Sequence, residues 1–258
     1  MCPTWRSSAP ARDDPAEASP SGQCAISGVA MPPSWLKCLN SRNGVFCIHA
    51  HDRPQNHDDP VFTAAAHQHA PDWFIVIAFG HILKKNHLAL PRLGSLNLHA
   101  SLLPHHRGPA PIQWSIIKGD SETGVTTMLM DEGLDSGDVL LSARTAIQSC
   151  DTAASLHDRL AIMGADLLLE TLAGLATDQI KPLPQEHAAA TYAPLLTKAD
   201  GQIKWSQNAR QIDALIRGLT PWPGAYSFYQ EQRLKIFQVA PAQAPHPAAP
   251  GTVLPGFQ

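Results

Sequence analysis

Trp73-Phe74-Ile75-Val76-Ile77-Ala78-Phe79, closed by Gly80, is the stretch of sequence that decides the fold. An unbroken apolar run of strand length, ended by a glycine, is the pattern of a strand covered on both faces. Successive side chains point to opposite sides of the sheet, so neither side can face water. Working outward, Gly94–His99 reads as a second strand, with Leu96 and Leu98 on one face and Asn97 and His99 on the other. Val125, Thr127 and Leu129 alternate in a third strand, and residues 139–141 read as a fourth. Thr152 can cap a long helix over residues 152–175, in which Leu156, Leu160, Met163, Leu167 and Leu168 mark the buried stripe. Strands separated by helices and loops predict an α/β domain with a mostly parallel sheet.

The rest of the chain is organised around that domain. Its 258 residues exceed the usual single domain, so a large domain and a smaller one are expected. With 44% hydrophobic and 16% charged residues, the composition is that of a globular protein with a substantial core. Residues 1–24, rich in Pro, Ser and Ala, read as a disordered tail. In the stretch that follows, Trp35, Leu36 and Leu39 can line a short helix and residues 45–49 can form a strand, without a strong pattern. Residues 182–194 read as a linker within the boundary segment 182–200. Residues 208–219 read as a helix, and residues 225–229 and 233–239 as a hairpin of a second, β-rich domain. The five cysteines include no Cys-x-x-Cys pair and read as reduced thiols. No apolar run resembles a signal peptide or a membrane span, which makes a cytoplasmic protein the expectation. The net charge of −3 offers nucleic acid no global attraction, so any polynucleotide partner must meet a local basic surface.

Chemistry concentrates at the end of the second core strand. Asn97 and His99 lie on one face just before a loop, and open α/β sheets bind ligands in the crevice at their strands' carboxyl ends. Histidine can relay a proton, and both residues can donate to a developing oxyanion. Downstream, Asp131-Glu132-Gly133-Leu134-Asp135-Ser136-Gly137-Asp138 is an acidic loop whose glycines allow it to turn back over that crevice. Such a trio suits an amine attacking an acyl-like carbon. Taken singly, a histidine at a strand end is also an ordinary packing residue, and an aspartate among glycines an ordinary turn former.

Residues 93–141 resemble the folate-dependent formyltransferase family. The resemblance rests on Asn97, His99, Ser101, Leu102, Leu103 and Pro104, then Arg107, Gly108 and Pro111, then residues 122–126 (Glu-Thr-Gly-Val-Thr) and 133–138 (Gly-Leu-Asp-Ser-Gly-Asp). Residues 108–113, 201–206 and 216–226 are similar to the branch that formylates methionine on initiator tRNA. That likeness implies a Rossmann-like catalytic domain over 25–181, a linker over 182–200 and a partial, OB-like β-barrel over 201–258. It implies formyl transfer from 10-formyltetrahydrofolate to initiator methionyl-tRNA by a monomer that needs no metal, with Asn97, His99 and Asp135 as the catalytic trio. It puts the reduced folate at Phe79, Gly80, His81, Ile82 and Leu83, and at Ser101, Leu102, Leu103 and Pro104.

The sequence departs from the family in two places. Residues 25–39 are only faintly similar to the family's opening strand and turn. After Arg53, where a basic loop is expected, the chain runs Gln55-Asn56-His57-Asp58-Asp59. Residues 251–254 read as an early barrel strand, close to the last residue given. Weak, salt-sensitive tRNA binding is therefore expected, carried by Lys198, Lys204, Arg210, Arg217, Arg233 and Lys235 against Asp200, Asp213 and Glu231, an excess of three charges (6 − 3). Other readings are a relative acting on glycinamide ribonucleotide or a sugar nucleotide, a formyl-releasing hydrolase, and a remnant without activity. His49 with His51, and His67 with His69, have a spacing zinc enzymes use, but solvated histidines explain them better.

Overall fold

A computed structural model describes residues 45–48, 60–78, 83–240 and 248–254. The readings placed on residues 1–44, and on His49, His51, Asp58, Asp59, Phe79, Gly80, His81 and Ile82, lie outside the described residues. Those described form, in chain order, β1 (Val45–Ile48), α1 (Pro60–His69), β2 (Trp73–Ile77), the single turn α2 (Lys85–Leu88), β3 (Gly94–His99), α3 (Pro111–Lys118), β4 (Glu122–Leu129), β5 (Val139–Ala146), α4 (Ala153–Ala176), α5 (Ala209–Gly218), β6 (Ala225–Tyr229) and β7 (Gln232–Ile236).

Among the described residues β1 to β5 make one sheet in sequence order. The apolar run is its buried centre. Phe74 and Val76 pack with Ala66 of α1 and Leu83 on one face, while Ile75 packs with Leu96, Leu140 and Leu168 on the other. Strand β2 pairs in parallel with β1 and β3, so that Val76 stands beside Asn97. The expectation of a mostly parallel sheet holds for that half alone. Strand β4 is antiparallel to both β3 and β5. The reason lies in the connection. Helix α3 has eight residues, roughly 12 Å at 1.5 Å per residue, and β3 has six, roughly 20 Å of strand. The loop over residues 100–110 and this short helix return the chain at the edge where β3 ended, so β4 runs back along β3 with Thr126 opposite His99.

Helix α4 covers the face opposite Asn97 and His99. Thr152 caps it in a reciprocal pair: its hydroxyl accepts from the Ser155 N–H at 3.2 Å, and the Ser155 hydroxyl accepts from the Thr152 N–H at 3.0 Å. Leu156, Leu160, Leu167 and Leu168 face the sheet, and Met163 is partly buried beside them. Gly164 lets Leu98 approach closely, since a Cβ there would lie 2.8 Å from Leu98 Cδ2. Thr171 is fully buried, but its hydroxyl is satisfied by the Leu167 carbonyl at 2.7 Å and by Thr127 Oγ1 at 2.8 Å.

Beyond α4 the chain docks a second small core on α3. Leu219 and Leu196 pack with Ala110, Trp114 and Ile117. Gly218 ends α5 where it meets α3, and a Cβ there would meet Ile117 Cγ1 at 2.6 Å. Strands β6 and β7 form a two-stranded antiparallel sheet with Ile203, Ile212, Ile216 and Ala225 beneath it. The strand read over residues 251–254 does not form. Gly251 has φ +84° and sits against the Trp205 ring, within a turn closed by the Thr252 N–H on the Ala249 carbonyl.

One ion cluster ties the two parts together. Arg159 donates to both carboxylate oxygens of Asp151, at 3.1 and 2.6 Å, and Arg217 donates to the Asp151 carbonyl at 2.9 Å. Burial alone pushes the Asp151 carboxyl up, but the Arg159 hydrogen bonds, the Gln148 N–H and the Arg159 charge together hold it below its ordinary value of 3.8. A lowered folded-state value means that the ionised group stabilises the fold above the unfolded value and ceases to do so as pH falls through the folded one. Asp151→Asn is therefore expected to lose about 2 kcal/mol at neutral pH. Urea unfolding across pH checks it: the gap from wild type should be constant above about pH 5 and close below about pH 4. A gap independent of pH down to pH 3 would contradict the assignment.

Candidate active site

Strand β3 places Asn97 and His99 on the face away from α4, and the loop between β4 and β5 folds back over them. Asp135, in that loop, brings its carboxylate into the crevice. Asn97 Nδ2 donates to Asp135 Oδ1 at 3.2 Å, the Gly108 N–H donates to Oδ2 at 2.8 Å, and His99 Nδ1 stands 3.7 Å from Oδ2. The side chains are well shielded, at 7% exposure for His99 and 15% for Asp135. The other ring nitrogen settles the tautomer. His99 Nε2 lies 2.9 Å from the His106 carbonyl, and a carbonyl only accepts, so Nε2 carries the hydrogen. Nδ1 is then the atom able to take a proton, directly beside a carboxylate that would stabilise the resulting charge.

The loop after β3 is braced from below. The buried Thr126 hydroxyl donates to the Ser101 carbonyl at 2.7 Å and accepts from the Leu103 N–H at 3.3 Å. The Ser101 hydroxyl donates to the His105 carbonyl at 2.6 Å. Ser101 is thus fully buried and committed to its own loop, whereas Leu102, Leu103 and Pro104 line a solvent-open cavity of about 890 Å³ together with His105, Arg144 and Tyr192. None of the trio lines that cavity. Leu83 belongs to the core beside Phe74 and Val76. Among the described residues no group of three His, Cys, Asp or Glu is placed to hold a metal ion.

Two groups essential to this geometry carry no signal of their own in the sequence. Gln185 lies in the segment read as a linker, which is an ordered strap. Its Leu183 bridges Val139, and its Tyr192 bridges Arg107. Gly108, read only as part of a motif, has φ +114° and supplies the N–H to Asp135.

Against known proteins, the formyl transferase model matches residues 36–172, and the model of the formyl transferase C-terminal domain matches residues 195–256. The chain belongs to the formyl transferase family. It is 51% identical over 184 residues to a methionyl-tRNA formyltransferase of Citrifermentans bemidjiense, covering 71% of this chain and 57% of that one. It is 48% identical over 224 residues to one of Geotalea daltonii, covering 87% and 70%. The chain thus spans 57% of the length of the first of these curated relatives. Among solved structures, HypX from Aquifex aeolicus in complex with tetrahydrofolic acid superposes with TM-score 0.61 at 22% identity over 76% of this chain and 34% of that one. A sugar N-formyltransferase from Shewanella superposes with TM-score 0.60 at 22% identity over 73% and 77%. At that identity the superpositions speak to the fold.

Gly108 generates a direct test of the site's backbone. A Cβ there would lie 2.8 Å from the Ala193 carbonyl oxygen, at a φ that side chains rarely adopt. Gly108→Ala should destabilise the family member by about 1–3 kcal/mol, seen as a lower midpoint in chemical denaturation. An unchanged midpoint would mean that the turn tolerates a side chain and that the N–H is not fixed by its conformation.

Proposed function

We propose that this chain transfers the formyl group of 10-formyltetrahydrofolate to the amino group of methionine on initiator tRNA. The observation that carries this reading is the Asp135 carboxylate held between Asn97 Nδ2 and the Gly108 N–H beside His99 Nδ1. Relatives 48–51% identical that are named methionyl-tRNA formyltransferase supply the acceptor. The folate supplies the formyl carbon, bonded to a nitrogen that leaves. As the methionine amine attacks, its nitrogen gains positive charge and the formyl oxygen gains negative charge. The free hydrogen of Asn97 Nδ2 stabilises that oxygen, and His99 Nδ1 takes the amine proton while Asp135 offsets the imidazolium charge; as the tetrahedral intermediate collapses, the imidazolium returns that proton to the departing folate nitrogen. Burial of the pair strengthens both effects by excluding water. The folate-contacting residues remain our reading of the family pattern: residues 79–83 at one edge and Leu102, Leu103 and Pro104 at the other, with Ser101 shaping the loop. The division into a catalytic domain over 25–181, a linker and a C-terminal unit from 201, the cytoplasmic setting and the monomeric state belong to the same proposal.

The tRNA surface needs one revision from the sequence reading. Arg217 is engaged by Asp213 at 2.8 Å and by the Asp151 carbonyl, so it braces the fold. Arg233 stacks on the Tyr226 ring at 3.7 Å. Lys198, Lys204, Arg210 and Lys235 are exposed and remain open to phosphate contacts.

Asn97→Ala, His99→Ala and Asp135→Ala should each lower the rate of formyl transfer to charged initiator tRNA by about a hundredfold, or about 3 kcal/mol. The losses should be strongly non-additive, because the three act on one reacting centre. Full activity in His99→Ala would sink the mechanism. Formylation of glycinamide ribonucleotide or an aminosugar nucleotide in preference to the tRNA would move the acceptor. For binding, Lys204→Glu with Lys235→Glu should weaken tRNA and flatten the dependence of log K on log salt by roughly two units. Arg217→Glu should instead lower thermal stability. Equal salt slopes for wild type and the lysine double variant would place the contacts elsewhere.

A further inference from the structure

The acidic loop that delivers Asp135 is braced within by the Asp131 carboxylate, which accepts from the Gly133 N–H and the Ser136 hydroxyl, and a second time from outside. Asp135 has φ +50°, in the left-handed region that aspartate adopts more readily than most side chains. Its carboxylate is engaged across the crevice by Asn97 and Gly108, and its backbone carbonyl is held from outside the loop. The holding group is Gln185, which is 7% exposed and lies fifty residues downstream. The Gln185 carboxamide donates from Nε2 to the Asp135 carbonyl at 2.9 Å and to the Gly137 carbonyl at 2.7 Å. Its Oε1 accepts from Arg107 Nε at 3.1 Å and from Nη2 at 2.6 Å. Arg107 is itself buried, at 4% exposure, and Nη2 also donates to His187 Nδ1 at 3.2 Å.

We infer that Gln185 is a positioning residue for formyl transfer, fixing the Asp135 loop against the buried Arg107 and acting on the reaction only through Asp135. This rests on the formyl-transfer reading for its kinetic consequence, though not for its structural one. The chemistry of the four bonds selects the residue. A guanidinium only donates and peptide carbonyls only accept, so the group between them must accept twice at one end and donate twice at the other. A carboxamide does this with every hydrogen and both carbonyl lone pairs engaged, and its orientation is fixed without ambiguity. A carboxylate would satisfy Arg107 but turn an acceptor toward two carbonyls. A thioether would satisfy neither side. The neighbouring bridges of Leu183 to Val139 and Tyr192 to Arg107 keep the strap in place whichever residue stands at 185.

The experiment compares wild type with Gln185→Glu and Gln185→Met in the full chain. Each is made alone and in the Asp135→Asn background, and the readouts are steady-state formylation and hydrogen–deuterium exchange. We expect kcat to fall by about ten- to hundredfold, with KM for the folate and for charged tRNA changed by less than about twofold. In the Asp135→Asn background the same substitution should lower kcat by less than about twofold, because its route is already removed. Exchange should accelerate over residues 131–138 and stay as in wild type over β3 and α4. If Gln185→Glu does not fold, Gln185→Met is read by the same criteria. Unchanged kcat, or a loss of equal size in both backgrounds, overturns the inference. Absence of formyl transfer by wild type with every acceptor overturns the formyl-transfer reading, and exchange over 131–138 then decides the positioning role by itself, with equal exchange overturning it.

Discussion

The site depends on one carboxylate. Asp135 is reached by three pieces of chain that are not neighbours in sequence: Asn97 from β3, Gly108 from the loop that follows, and the β4–β5 loop that carries Asp135 itself. An ionised carboxylate only accepts hydrogen bonds, and buried ones are stable only when donors surround them. Here the Asn97 amide from β3 and the Gly108 N–H from the following loop donate to it, while the His99 imidazole stands beside it at 3.7 Å. Hydrogen bonds to a charged group contribute about 1.5–3 kcal/mol each, so the contacts that fix this carboxylate also tie the β4–β5 loop to the end of β3.

That closure explains why the later part of the chain sits where it does. The segment after α4 passes back across the site, bridging Val139 beside the acidic loop and Arg107 beside the β3 loop. It then seats Leu196 and Leu219 on α3. Arg217 reaches back to the Asp151 carbonyl ahead of α4. The C-terminal unit is thus anchored by packing and by buried polar contacts on the helices that flank the site, so the strap between Val139 and Arg107 is held at both ends.

Much of this was legible in the residues, and the illegible part has a common cause. The apolar run from Trp73 named the buried strand because burial on both faces leaves a local mark, although the strand ends at Ile77 and Ala78 is exposed, and the alternation of Asn97 and His99 with Leu96 and Leu98 named the crevice face for the same reason. Thr152 announced its helix because a cap is satisfied within three residues. The antiparallel direction of β4 left no such mark, since it depends on where the loop and helix between β3 and β4 return the chain, which no local pattern encodes. Gln185 left none either: three partners spread over residues 107–137, joined by four hydrogen bonds, give it its role, and no spacing within 182–194 encodes them. Arg217 was read as surface charge because the Asp151 carbonyl it meets is 66 residues away.

The carboxylate clamp can be observed most directly at the Gly108 amide by nuclear magnetic resonance, in wild type and in Asp135→Asn. An N–H donating to a carboxylate oxygen at 2.8 Å is a charge-assisted bond, so its proton should resonate far downfield in wild type. It should move upfield on substitution more than any other amide of the β3 loop, with the β2 and α4 amides unmoved. A Gly108 proton at an ordinary position that ignores the loss of the Asp135 charge would show that the carboxylate does not hold this loop, and would contradict the account of how the site is assembled.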